Sequence, residues 1–520
     1  EFAALLKGGI DQLDAMKTQR PYLGERKPLD YDAARAAKLA DGMAEPKDAI
    51  VAIAKYLEGF VLWGHPMTQR NVVHPPTIPA IAGQLFASIC NPNIIWDEYS
   101  HGAGLAEIEA SAMCASLVGY NPDQAAGVFT FGGTATLLYG AKLGLEKACP
   151  GAFQNGVRED ARIISSSAGH YSKINILAWL GIGARNLVTV PTDADNSMGL
   201  EEFERILRDL LSRGQKVACI IATMGATDAF GMDNLEFIVR LRDRLVEDFR
   251  LPYAPHVHAD AVIGWPWAVF NDYDFDANPM NFPPRALRCL WDASSSIRHL
   301  HLADSIGIDF HKTGYGPYIS SLFLCKNKAD LDRITRDQTL MPYLFQFGNY
   351  HPGVFTLEAS RGCGGVFSAL ANLKLLGKTG YRAILGHIVA MAEHLRARLE
   401  AAPGACVVND YNAGPVTLFR VYPDGVDAKD AWRKERVNPG FAAQLRKHNE
   451  YNRRVFDALQ RQMESGQGPA LSLTDHYRAT PVGDPILALK SFVMSPFTTA
   501  ADMDLVADCI EKARKETPAE

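Results

Sequence analysis

Val217-Ala-Cys-Ile-Ile-Ala222, closing on Thr223, is a continuous apolar run with no polar alternation. A strand that is apolar on both faces belongs inside a sheet covered on both sides, which points to parallel α/β architecture. Similar runs recur outward from it, at Gly127-Val-Phe-Thr130, Ala161-Arg-Ile-Ile-Ser165, His256-Val-His-Ala259 and Ser320-Ser-Leu-Phe-Leu-Cys325, with helical patterns between them. That alternation predicts an α/β fold with a large, mostly parallel sheet over residues 101–375. Residues 1–100 mix a helical stretch, Asp48 to Leu62, with a proline-rich segment from His65 to Pro79, and read as an arm. After a helix from about Gly365 to Leu399, residues 376–520 read as a small α+β domain. It has strands at Val416–Val421 and Ile486–Met494, a polar loop from Pro423 to Pro439, and a last helix with Leu505, Val506, Cys509, Ile510 and Ala513 on one face.

Composition narrows the classes. The chain has 520 residues, 47% hydrophobic and 22% charged, and a net charge of −6 with no basic stripe, which argues against a nucleic-acid partner. Nine cysteines occur singly, with no Cys-x-x-Cys and no His-Glu-x-x-His, so neither a metal site nor a disulfide framework is expected. Reduced thiols and a cytoplasmic location follow as the expectation. No apolar run is long enough for a membrane span, and Glu-Phe-Ala-Ala-Leu-Leu-Lys at the start lacks the pattern of a signal peptide.

Two stretches carry chemistry. One is His256-Val-His-Ala-Asp260-Ala-Val-Ile-Gly-Trp265, in which a carboxylate ends a hydrophobic strand; the other is Asp309-Phe-His-Lys312-Thr-Gly314, in which a lysine beside a histidine lies just past a second strand. A lysine amine is protonated near its reference pKa of about 10.4 and attacks an aldehyde only where its surroundings favour the neutral form, which a pocket does by desolvation. A buried carboxylate beside a pyridine nitrogen keeps that nitrogen protonated and makes the ring an electron sink. These are the parts needed to hold pyridoxal phosphate, with Lys312 as its Schiff-base partner. Singly, each has an ordinary alternative: a solvated lysine, or an aspartate capping a turn.

Further parts precede them. Phe129-Thr-Phe-Gly-Gly-Thr-Ala-Thr136 lies between a strand and a helix, where free N–H groups and the Thr134 and Thr136 hydroxyls suit a phosphate. His170 follows the Ala161–Ser166 strand and overhangs the crevice at a strand's carboxyl end, where an imidazole can stack on a flat ring. Thr223 ends its strand in the same way.

In this order, Gly-Gly-Thr, Ala-Gly-His, Ala-Thr-Met-Gly-Ala-Thr, His-Val-His-Ala-Asp-Ala and Asp-Phe-His-Lys resemble the group II pyridoxal-phosphate decarboxylases, from about His65 to the C-terminus. That family includes glutamate, aromatic amino acid and diaminobutyrate decarboxylases. The resemblance implies the type I, aspartate-aminotransferase-like fold and a homodimer with active sites at the subunit interface. It makes Lys312 the Schiff-base lysine, Asp260 the partner of the pyridine nitrogen and His170 the stacking histidine. Gly133, Thr134 and Ala135 match its phosphate loop, and His311 the histidine before the lysine. Val262 stands where many relatives place an alanine under the ring.

The same resemblance assigns the proton donor to Tyr343, with Tyr350 as rival, and the grip on the substrate carboxylate to Lys490, where many relatives have arginine. His65-Pro66 and Val73-His-Pro-Pro-Thr77 resemble stretches of diaminobutyrate and related diamine decarboxylases, making His74 a substrate-binding candidate. Arg70 departs from that pattern and offers a cation to an acidic side chain. The activity implied is α-decarboxylation of an L-amino acid to an amine. The alternatives are decarboxylation with deamination to an aldehyde, transamination, an acidic or aromatic substrate, and a catalytically dead binding subunit.

Overall fold

The computed structural model describes residues 1–157, 160–341, 348–409, 411 and 413–519. Its contacts divide into two compact units. The sheet unit holds Val72–Glu393 and Asn409–Leu418; the terminal unit holds Glu1–Asn71, His394–Val408 and Phe419–Glu520. The first part of the arm clusters with C-terminal segments.

The sheet unit is built on β1 (Ala126–Thr130), β2 (Ala161–Ser166), β3 (Leu187–Val190), β4 (Lys216–Thr223), β5 (His256–Asp260), β6 (Ser305–Asp309) and β7 (Ser321–Cys325), in the order β1-β7-β6-β5-β4-β2-β3. Neighbours from β3 to β6 pair in parallel, whereas β7 runs antiparallel to both β6 and β1. The carboxyl ends of all strands except β7 therefore share one edge. Strand β3, only 4 residues long, had no separate signal in the sequence.

Burial explains why these runs are apolar on both faces. The Gly133–Ala148 helix places Leu137, Ala141 and Leu145 in one core with Ile163 of β2 and Ala218, Cys219 and Ile221 of β4. Its glycines permit that approach: a Cβ at Gly140 would come 2.5 Å from His258 Nδ1, and one at Gly144 would collide with the Ala218 carbonyl. The Leu235–Asp248 helix starts where Asn234 accepts the Phe237 N–H at 3.0 Å, and buries Leu235, Ile238, Leu241 and Leu245 at helical spacing. Each such side chain contributes roughly 1.5–3 kcal/mol. The expected helix near Gly365–Leu399 spans Gly364–Ala401 and breaks at Gly377, where φ is +50°.

The terminal unit carries β8 (Ala405–Val407), the end of β9 (Val416–Val421), β10 (Ser472–Ala479) and β11 (Pro485–Phe492), in the sheet order β10-β11-β9-β8. The expected polar loop from Pro423 to Pro439 contains a helix, Ala428–Val437, capped by Asp427. Its many charges hid a narrow buried face, on which Glu435 is wholly enclosed with Arg420 at 3.0 Å, Tyr422 Oη at 2.9 Å and His448 Nδ1 at 2.6 Å. In the last helix Val506, Cys509, Ile510 and Ala513 are buried as expected, but Leu505 is 49% exposed and Met503 joins the core instead. Among the described residues no helix is long and apolar enough to cross a membrane.

Candidate active site

The shared sheet edge collects the predicted residues because each follows, or ends, a strand pointing that way. Asp260 closes β5 opposite Thr223, the last residue of β4 and its register partner. Asp309 closes β6, three positions before Lys312. His170 follows β2, and Gly133 opens its helix just after β1. Doubly wound sheets bind ligands at this edge.

Lys312 Nζ lies 2.9 Å from Asp309 Oδ2, and Asp309 is wholly buried. The other Asp309 oxygen accepts the Ser321 hydroxyl at 2.6 Å. Burial pushes the Lys312 amine toward neutrality, as expected, but the Asp309 and Asp260 carboxylates outweigh it and hold its pKa above the ordinary value. The resting lysine is thus an ammonium, correcting the expectation that desolvation alone would free it. His311 hydrogen-bonds through Nδ1 to Ser320 O at 3.0 Å, and its ring lies 4.2 Å from that of Tyr318.

The chain's own atoms test whether a phosphorylated pyridine fits here. Asp260 is 4% exposed, and its Oδ1 is buried without a hydrogen-bond partner. Burial raises its pKa to about 6, against the pull of Lys312. Thr223 Oγ1 is likewise buried and unpartnered. A buried acceptor and hydroxyl left open at one edge fit a ring that brings an N–H and oxygen substituents of its own. A Cβ added at Gly133 would sit 2.8 Å from Asp309 Oδ2 and 3.2 Å from Val262 Cγ1, so the helix N-terminus and Val262 border the same space as the lysine pair.

Ala135 is fully buried and Thr134 is exposed at that N-terminus. The Thr136 hydroxyl, however, donates to Gly133 O at 2.8 Å inside the helix, so it is not available to a phosphate. His170 Nδ1 accepts the Ser172 N–H at 3.3 Å, leaving its proton on Nε2 in the neutral ring. Burial, then the nearby Lys312 charge, lower its pKa to about 4. Tyr171 covers one imidazole face, with ring centroids 4.2 Å apart.

His74 is in the sheet unit and 3% exposed, its ring 4.6 Å from Tyr315 and neither nitrogen hydrogen-bonded. Burial lowers its pKa to about 4. Lys490 is buried on β11, opposite Ser472, in the terminal unit. Arg70 donates to Gln460 Oε1 at 2.7 Å within the same unit. Tyr343 lies outside the described residues. Its rival Tyr350 donates to Glu107 Oε2 at 2.8 Å, beside the Arg361–Glu107 ion pair at 2.5 Å, and so serves as an anchor.

Asp309 stood in the quoted motif without a role; its i,i+3 spacing to Lys312 was the available signal. Among the described residues no cluster of His, Cys, Asp and Glu is arranged to hold a metal ion.

No family model matches the sequence. The L-2,4-diaminobutyrate decarboxylase of Acinetobacter baumannii is 25% identical over 406 residues, covering 74% of this chain and 73% of that protein. The aromatic-L-amino-acid decarboxylase of Bacillus atrophaeus is 26% identical over 396 residues, covering 73% of each. The crystal structure of Oryza sativa TDC with PLP and tryptamine has a likeness of fold, with a TM-score of 0.77 at 16% identity over 99% of this chain and 97% of that one. These relatives are named as amino acid decarboxylases, and the likeness to the solved structure is one of fold.

Proposed function

We propose that this protein is a pyridoxal-phosphate-dependent α-decarboxylase that converts an L-amino acid to its amine and carbon dioxide. The observation that carries this reading is the buried Asp260, its Oδ1 without a partner, at the edge where the Lys312–Asp309 pair and a helix N-terminus meet. Bound there, the cofactor supplies an electron sink for the pair of electrons released when the Cα–carboxylate bond breaks. Asp260, as carboxylate, holds a proton on the ring nitrogen. Asp309, at hydrogen-bond distance, is placed to take the Lys312 proton and free the amine for attack. His170, neutral, lies against the ring face, with Thr223, Val262 and His311 around it. N–H groups of Gly133 and Thr134 receive the phosphate at the positive end of the helix, beside Ala135, whose own N–H is donated to Gly132 O at 2.9 Å.

On the resemblance, Tyr343 returns a proton to Cα, and Lys490 binds the substrate carboxylate as a point charge. His74 and the diaminobutyrate relative favour a diamino acid such as 2,4-diaminobutyrate. A homodimer, a cytoplasmic setting and the segment roles of 1–100, 101–375 and 376–520 complete the reading.

The test is a screen for carbon dioxide release from diaminobutyrate, lysine, ornithine, aspartate, glutamate and aromatic amino acids, with product identification. Amine from a diamino acid supports the proposal in full. An aldehyde or keto acid product overturns the outcome assigned to the site, and no carbon dioxide from any of them overturns the decarboxylase reading.

A further inference from the structure

Lys173 lies beneath this edge and has no part in the chemistry above. It sits in the first turn of the Ser172–Trp179 helix, where the helix dipole disfavours a cation, and it is 5% exposed. Of its three N–H donors it commits one, to Ser166 O at 2.5 Å, and it makes no ion pair among the described residues. A buried cation in such a position conflicts with local preference and with burial, and conflicts of that kind cluster at functional sites.

Its neighbours indicate what the charge acts on. A Cβ at Gly169 would lie 3.2 Å from Lys173 Nζ, 3.1 Å from Thr223 Oγ1 and 2.7 Å from Ser165 Oγ, so the ammonium and the unpartnered Thr223 hydroxyl border one small space. Thr223 pairs with Asp260 across the strands, and its N–H is held by Asp233 Oδ2 at 2.7 Å. Asp233 Oδ1 accepts the Met198 N–H at 2.7 Å. Burial pushes Lys173 down to about 8, while the Asp233 and Asp260 carboxylates hold it up. Burial likewise lifts Asp233 to about 7 and Asp260 to about 6, each drawn back in part by Lys173. Lys312 also acts on Asp260, but Asp309 at 2.9 Å opposes its field. Lys173 has no such counter-ion bonded to it.

We propose that Lys173 is a positioning residue of the cofactor site, an unpaired buried cation that keeps Asp260 in the carboxylate form needed to engage the ring nitrogen. This rests on the cofactor reading given above. The experiment titrates the purified, cofactor-stripped full chain with pyridoxal phosphate at pH 5, below the pKa of Asp260, followed by absorbance and by fluorescence, for wild type, Lys173→Met, Lys173→Arg, Asp260→Asn and the Lys173→Met/Asp260→Asn double variant. Lys173→Met is expected to raise the dissociation constant about tenfold, the equivalent of one pKa unit lost at Asp260, and Lys173→Arg to restore it.

In the Asp260→Asn background Lys173→Met adds no further loss, because the charge it acts on is gone. The cofactor-free Lys173→Met protein melts no lower than wild type, as expected when an apolar chain replaces a buried unpaired cation. Where Lys173→Met does not fold, Lys173→Gln carries the same comparison. A dissociation constant within about twofold of wild type, or an equal loss in the Asp260→Asn background, overturns the proposal. Wild type that takes up no pyridoxal phosphate overturns the cofactor reading itself, a distinct result.

Discussion

Asp260 is held for a ligand at the expense of the fold that holds it, and replacing it by asparagine exposes that trade. Burial moves its pKa from 3.8 to about 6. Well below pH 3.8 the side chain is protonated whether the chain is folded or unfolded, and it costs nothing. As the pH rises toward 6 the unfolded chain ionises first, so stability drains away, and above 6 the loss levels off. That displacement corresponds to about 3 kcal/mol at pH 8 and about half as much at pH 5.

Asparagine keeps the shape without the charge, so the cofactor-free Asp260→Asn protein recovers these amounts. The sheet unit has roughly 330 residues, and about 3 kcal/mol against its unfolding entropy is about 4 °C in melting temperature. Scanning calorimetry of both cofactor-stripped proteins from pH 5 to 8 measures the gap, which widens with pH. Added pyridoxal phosphate then raises the melting temperature of wild type by more than that of the variant. A variant that melts at or below wild type at pH 8, or a gap that does not grow with pH, refutes the account of Asp260 as a buried acid strained for binding.

Arg361→Leu strands the enclosed Glu107 carboxylate, and a urea titration is expected to show a loss of about 3–5 kcal/mol, with Arg361→Leu/Glu107→Leu recovering much of it. His170, held near pKa 4, stays neutral across the working range, so His170→Phe lowers turnover without removing a limb from the pH–rate profile between pH 5.5 and about 9. Its loss of turnover is expected to be far smaller than that of Asp260→Ala, measured side by side with a saturating substrate.

Thr223, Asp260 and His170 were legible in the sequence because each follows an apolar run, and runs of that kind fix both the strand and the end at which it opens. What strand patterns do not encode is which charges meet. Asp309 was visible as a neighbour of Lys312, yet its effect on the lysine depends on an oxygen placed 2.9 Å from Nζ, and that reversed the direction expected from burial alone. Thr136 looked as available as Thr134 until helix geometry turned its hydroxyl back on Gly133 O. Lys173 was hidden by residue type, since a lysine in a helix reads as solvated. The Ala428–Val437 helix escaped for the same reason: its buried Glu435 counts as polar in any hydrophobic pattern, although it belongs to the interior.

Strand β7 enters the sheet against the direction of its neighbours, and this decides which kinds of atom the site is made from. Parallel strands finish with carbonyl oxygens, so an edge made only of their carboxyl ends is rich in acceptors. The reversed strand begins there instead, between β1 and β6. Its first residue brings the Ser321 hydroxyl to Asp309. A donor-bearing end set among acceptor-bearing ones gives a carboxylate somewhere to rest in the dry interior, and through it gives Lys312 a charged partner while the lysine waits for its cofactor.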